Sequence, residues 1–225
     1  RSLHMLYSKQ NKWVFIHVPK NAGTAIQDYI RSTDGKGISE KTANRKSLNL
    51  DLYMHGNPLL AHNKASYWST YNFTKGLTFI GILRNPWARC LSLYLYNVKI
   101  ASENLNEDWG RIDHGILTKQ GFKQSWMEGG FFVDNHGIDF EYNKKTGRAW
   151  SQSDDQFSWL DGVSSKKWFR LEDELNDFCK FTKLPSPKVL NDTKKAHYRN
   201  HYDDELAERI ATLFARDVEL GGYKF

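Results

Sequence analysis

Lys20 and Thr24 lie four residues apart in Trp13-Val-Phe-Ile-His-Val-Pro-Lys-Asn-Ala-Gly-Thr-Ala-Ile26. A cation and a hydroxyl on either side of a glycine suit one kind of partner, an anion. A second set occurs in Leu83-Arg-Asn-Pro-Trp-Ala-Arg-Cys-Leu-Ser92, where Arg84 and Ser92 stand eight residues apart. His55 and His62 fall between the two sets. Imidazole changes charge near neutral pH, so either ring can move a proton during a group transfer.

The flanking residues say how such groups would be positioned. The apolar run Trp13 to Val18 stops at Pro19, and Ile26, Tyr29 and Ile30 then recur at helical spacing. That pattern reads as strand, tight loop and helix. A helix start carries unpaired backbone N–H groups and the positive end of the dipole, which favour an anion. Gly23 would let the backbone approach a ligand closely. Taken alone, the stretch reads equally well as a buried edge strand followed by an ordinary helix cap. The second stretch changes that balance. Leu77-Thr-Phe-Ile-Gly-Ile-Leu83 is apolar and β-rich, as a parallel strand buried on both faces should be. Asn85 suits an N-cap and Pro86 a first helical position. Trp87, Leu91, Tyr94, Leu95 and Val98 then mark the inward face of a helix reaching about Ser102, with Arg89 and Ser92 on its polar side. In a parallel sheet both strand ends open on one edge, where ligands bind. One phosphate at each end describes a nucleotide with phosphates at two separate places.

The rest of the chain supplies fewer landmarks. Ser32 to Asn49 is polar and reads as a surface loop, and His55-Gly-Asn-Pro58 as a turn. His62-Asn-Lys-Ala-Ser-Tyr-Trp68 predicts the start of a helix running to about Asn72. Residues 103–160 mix Gly, Asp, Asn and Trp without a period, which predicts short helices and loops. Such a stretch builds a substrate site or serves packing alone. Lys167 to Leu171 predicts a third strand and Glu172 to Phe181 a helix. Asp203-Asp-Glu-Leu206 opens a last helix that Gly221 closes, with Leu206, Ile210, Leu213, Phe214 and Val218 inward.

Composition bounds the function. The 225 residues suffice for one α/β domain with a full core. The net charge of +6 suits an anionic ligand or an acidic polymer, and equally simple solubility. The sequence has neither a dense basic run nor a zinc-finger pattern, so nucleic acid is not an expected partner. Cys90 and Cys179 lack metal-ligand spacing and read as small buried side chains. The Walker A order Gly-x4-Gly-Lys-Ser/Thr is absent, and the second strand ends in Arg84 where a magnesium-binding Asp would stand. No leader and no apolar run of membrane-spanning length is visible. Met5 reads as a native start and residues 1–4 as a vector remnant. Those signs point to the cytoplasm of a bacterial or viral host, with the Golgi lumen as the alternative if an anchor preceded this sequence.

These residues resemble a known family. His17-Val-Pro-Lys-Asn-Ala-Gly-Thr24 is similar to the 5′-phosphosulfate loop of sulfotransferases that use 3′-phosphoadenosine 5′-phosphosulfate (PAPS). The Pro-Lys-x-Ala-Gly-Thr form resembles the carbohydrate branch, which includes the heparan and uronyl 2-O-sulfotransferases and bacterial relatives. Leu83 to Tyr94 resembles the 3′-phosphate motif Arg-x-Pro-x-x-Arg-x-x-Ser, and His197 to Phe225 the C-terminal helix of the same branch. Roughly 103–165 stays uncovered. The resemblance implies a P-loop-like three-layer α/β fold, a central mainly parallel sheet flanked by helices, forming a single domain over residues 1–225. It implies sulfuryl transfer from PAPS, leaving 3′-phosphoadenosine 5′-phosphate (PAP), to a hydroxyl or amine of a small molecule or glycan, an acidic polysaccharide included, without a metal. It assigns the 5′-phosphosulfate to Lys20, Asn21, Ala22, Gly23, Thr24 and Ala25, and the 3′-phosphate to Arg84 and Ser92. Thr193, Lys194 and Lys195 match a loop that closes over the cofactor, and a solvated charged turn is the alternative reading. Lys20 is the expected stabiliser of the leaving phosphate. His62, in His-x-x-Ala, is the expected base and His55 the runner-up, whereas His17 reads as structural. Arg89 is left between the same pocket and an acid partner. Trp126 and Phe132 are candidates for the adenine. Two other functions compete. A nucleotide or small-molecule kinase would need magnesium and a carboxylate at the strand ends. A PAP- or polyanion-binding module without turnover would keep the loop alone.

Overall fold

The computed structural model describes residues 5–26, 52–55, 62–102, 114–127, 154–184 and 197–225. The fold is α/β. Its sheet has five strands, β1 (Met5–Ser8), β2 (Trp13–Ile16), β3 (Leu52–His55), β4 (Thr78–Leu83) and β5 (Lys166–Arg170), in the order β3-β1-β2-β4-β5. β2, β4 and β5 run parallel, as the two apolar runs predict, with Trp13 opposite Thr78 and Gly81 opposite Trp168. β1 pairs antiparallel with both β2 and β3. This antiparallel margin was not expected. Residues 9–12 turn the chain from β1 into β2, with Lys12 left-handed and the Asn11 N–H donating to Ser8 Oγ at 3.0 Å. His55, where the turn His55–Pro58 is expected to begin, is the last residue of β3 and pairs with Met5 of β1, and residues 56–58 lie outside the described residues.

All four residues of β2 are buried, and all of β4 after Thr78. Gly81 has a packing reason inside β4, since a Cβ there would meet the Trp168 ring at 2.2 Å.

The chain divides into two compact units, each with its own core. The first comprises Arg1–Arg84 and Gln156–Thr193, and holds the sheet. Leu6, Trp13, Phe15, Ile26, Ile80, Ile82, Phe169 and Phe178 form its core, and α4 (Leu175–Thr182) contributes Phe178 and Cys179 to it. It also contains α1 (Ala65–Trp68). The second unit comprises Asn85–Asp155 and Lys194–Phe225. It contains α2 (Pro86–Ser102), α3 (His114–Met127, kinked at Gly121), α5 (Asp204–Leu213) and α6 (Ala215–Gly221). Trp87, Cys90, Leu93, Trp126, Leu206, Ile210 and Phe214 pack together there. Asp203 caps α5 by accepting from the Leu206 N–H at 2.9 Å. The single last helix expected from the sequence breaks at Phe214, and the left-handed residue that ends it is Gly222 rather than Gly221.

Candidate anion-binding site

The first unit gathers Lys20, Arg84 and His62 around the end of β2. The chain leaves the sheet after Ile16, the last residue of β2 in register with β4. The Val18 N–H reaches back to the Ile16 carbonyl at 3.2 Å, closing a three-residue turn centred on His17. Lys20 (φ 68°) and Ala22 (φ 62°) then take the left-handed conformation, which costs a residue with a Cβ roughly 1–3 kcal/mol and needs support from its surroundings. The first i→i−4 bond runs from the Ile26 N–H to the Ala22 carbonyl at 2.9 Å, so Gly23, Thr24 and Ala25 form the opening turn of a helix. Thr24 is exposed and Ala25 half-buried.

The support comes from Asn21 and from a residue the sequence did not single out, Gln156. Asn21 is buried, and its Nδ2 donates to the Ile82 carbonyl at 2.6 Å and to Gln156 Oε1 at 2.5 Å. Gln156 Oε1 also accepts from the Arg84 N–H at 2.8 Å, while its Nε2 donates to the Arg84 carbonyl at 2.8 Å. One carboxamide therefore occupies both backbone groups of Arg84, as another strand residue would. The Arg84 guanidinium closes the ring by donating from Nη1 to the Lys20 carbonyl at 2.9 Å. The two cationic strand ends are thus joined by direct hydrogen bonds. The Asn21 side-chain amide is engaged inside the protein, and its backbone N–H donates to the Val18 carbonyl at 3.3 Å, so Asn21 shapes the loop.

Gly23 is constrained by a neighbour. A Cβ at Gly23 would lie 2.0 Å from Cδ2 of His17 and 2.2 Å from its Nε2. The glycine makes room for an imidazole, a reason inside the protein where the sequence suggested one in the ligand. Another neighbour of the His17 ring is His62, with centroids 4.3 Å apart, and the Phe15 ring stacks on it at 6.3 Å. His62 Nδ1 lies 3.2 Å from the His17 carbonyl. A carbonyl only accepts, so Nδ1 carries the hydrogen and, in the neutral ring, Nε2 carries the lone pair. His62 is buried. It sits in a turn ahead of α1, whose N-cap is Lys64, so the predicted helix from His62 to Asn72 is reduced to Ala65–Trp68. The hydroxyls of Ser69 and Thr70 bond to the carbonyls of Ser66 and Tyr67 at 2.8 Å, a local competition that ends the helix early. Lys64 Nζ donates to Ser158 Oγ at 3.1 Å, which ties the His62 turn to the 3-10 turn that follows Gln156.

Burial pushes the His17 pKa well below the ordinary imidazole range, and the nearby His62 and Lys20 add to the shift. The ring is therefore neutral at physiological pH. Its Nδ1 has no hydrogen-bond partner among the described residues. The same holds for both polar atoms of Asn63, which is 1% exposed.

His55 ends β3, which β1 separates from β2 in the sheet. Ser92 lies half-buried on α2, in the second unit. Arg89, expected on the polar side of α2, is 1% exposed there, donating to the Asp154 carbonyl at 3.0 Å with its guanidinium over the Phe214 ring. Trp126 is buried in the core of the second unit against Phe214, which leaves it no open face for adenine. Thr193, Lys194, Lys195 and Phe132 lie outside the described residues.

No family model matches the chain, and no curated protein matches it. Among solved structures, the crystal structure of a sulfotransferase from Alicyclobacillus acidocaldarius is similar at 14% identity, covering 92% of this chain and 92% of that one, with a TM-score of 0.39. At that level the reading of the site rests on its own residues. No helix among the described residues is long and apolar enough to cross a membrane.

Proposed function

We propose that the protein is a PAPS-dependent sulfotransferase acting on a hydroxyl or amine of a glycan or small-molecule acceptor. The observation that carries this reading is the bond between the Arg84 guanidinium and the Lys20 carbonyl, which couples two cationic strand ends in one place. The donor set fits a doubly anionic nucleotide. It consists of one ammonium, one guanidinium and the N–H groups of an opening helical turn. PAPS, when bound, supplies an activated sulfuryl group on a phosphate that departs as PAP.

The chain's own residues do the rest. Lys20 and the N–H groups of Gly23, Thr24 and Ala25 hold negative charge on the departing 5′-phosphate, the preorganised stabilisation that lowers a group-transfer barrier most. Arg84 holds the 3′-phosphate. His62 accepts the acceptor's proton at Nε2, because Nδ1 is committed to the His17 carbonyl. The carbohydrate branch is supported by the sequence motif, and an acidic polysaccharide acceptor only by the net charge.

Thermal shift with PAP, PAPS, ATP and ATP plus magnesium tests the reading. We expect stabilisation by PAP and PAPS and none by ATP; no response to PAP would overturn it. Radiolabelled sulfate transfer from PAPS to a panel of glycans then identifies the acceptor, and transfer to none of them together with PAP binding would leave a binding module without turnover.

A further inference from the structure

His17 is a buried titratable group that this mechanism does not use, and its surroundings assign it a task. One neighbour of its ring is Gly23, where even a methyl group would collide with the imidazole. Another is His62, with ring centroids 4.3 Å apart. The turn closed by Val18 N–H and Ile16 carbonyl takes His17 off the β2–β4 ladder, and its carbonyl accepts from His62 Nδ1. Side chain and backbone of one residue therefore both meet the same histidine. We propose that His17 is a positioning residue, its imidazole a spacer between His62 and the Gly23 turn and its carbonyl the group that selects the tautomer of His62.

This inference rests on His62 as the base of the proposed transfer. The physical requirements of a spacer are met. The ring is fully enclosed, so packing holds it in place. It is neutral, because burial disfavours its charged form, so it adds no positive charge beside the proton-accepting nitrogen of His62. Its own Nδ1 has no partner among the described residues, so the residue is not there to satisfy a buried hydrogen bond through that atom.

The test uses a readout independent of turnover. Long-range proton–nitrogen NMR of protein labelled with 15N-histidine reports which ring nitrogen of each histidine is protonated. In the wild type, His62 should be protonated at Nδ1 and bare at Nε2. His17→Ala should give a mixture of His62 tautomers, with the PAP dissociation constant within about threefold of wild type and sulfate release from PAPS, with water as acceptor, lowered at least tenfold. His17→Phe keeps a ring of similar thickness and should restore the single tautomer and most of the sulfate release. Gly23→Ala drives a methyl into the ring and should also disturb the tautomer, which keeps the test open if His17→Ala does not fold. A wild-type His62 protonated at Nε2, or a single Nδ1–H tautomer in both His17→Ala and Gly23→Ala, would overturn the spacer. A wild type without PAP binding would overturn the sulfotransferase reading and leave the tautomer result to judge the spacer separately.

Discussion

The two units bury polar side chains in different ways. In the second, Arg89 and Trp87 reach the carbonyls of Asp154 and Ala207, and other polar side chains bond within their own helix. Asn97 Nδ2 donates to Leu93 and Ser125 Oγ to Gly121, each to a carbonyl one helical turn back, at 2.8 and 2.6 Å. In the first, Asn21, Arg84, Gln156, His17 and His62 answer one another across 45 to 135 residues of sequence. The first unit also leaves polar atoms of His17, Asn21 and Asn63 without partners among its described residues. A fold that needs only stability pairs such groups or replaces them with apolar ones, since an unpaired buried donor or acceptor costs about 1–3 kcal/mol. The contrast is one of place: the second unit's buried polar groups are spread over its helices, whereas several of the first unit's meet at the loop after β2.

The widest separation is expected at Lys20. Lys20→Ala should lower sulfate transfer about 10²–10³-fold, the usual effect of removing one preorganised stabiliser, with the fold retained by circular dichroism. The next test sets the units against each other. Gln156→Leu strands both backbone groups of Arg84 and should lower stability by at least about 2 kcal/mol in urea unfolding while abolishing the thermal response to PAP. Arg89→Met in the second unit should lower stability by about 1–3 kcal/mol and keep that response in the folded fraction. Equal loss of PAP response in the two variants would erase the distinction.

Acid gives a smaller effect with a defined sign. The folded state holds the His17 pKa below its unfolded value near 6.5, so on acidification the unfolded chain takes up a proton that the folded chain resists. Stability is present in full above about pH 6.5 and falls below it, at most by about 1.4 kcal/mol per pH unit. Urea midpoints at pH 7 and 5.5 should fall less in His17→Phe than in wild type; equal falls would show that His17 is not the group responsible. Smallest is Asn63→Leu, which removes an unpaired carboxamide and should raise stability by roughly 1 kcal/mol in thermal melts. A loss instead would place Asn63 with the satisfied polar groups typical of the second unit.

The sequence made the long elements legible. β2 and β4 announced themselves within the apolar runs Trp13–Val18 and Leu77–Leu83, and α2 by its Asn-Pro start, because burial on both faces and helix capping leave local signatures. β1 and β3 have four residues each like β2 but lie in no longer apolar run, and they pair with each other, β1 also with β2. The site was legible as residue types and less so as causes. Lys20 and Arg84 stood out as charges, yet Gln156 lies in an irregular stretch where one polar residue looks like any other. Gly23 was read as an opening for a ligand because the imidazole that needs the space is six positions away in sequence. The sequence leaves Arg89 between the pocket and an acid partner because its charge calls for one or the other, and only the fold reveals the carbonyl and the ring that enclose it.

Each unit also holds a single thiol deep in its core, Cys179 in the first and Cys90 in the second. Burial pushes both thiols up and away from the reactive thiolate form. A thiol reagent can therefore modify either one only when the core around it opens. Labelling rates followed by mass spectrometry would time that opening separately for the sheet unit and the helical unit. Without any engineered probe, the chain carries one clock in each half, and a ligand that binds the loop should slow the clock at Cys179.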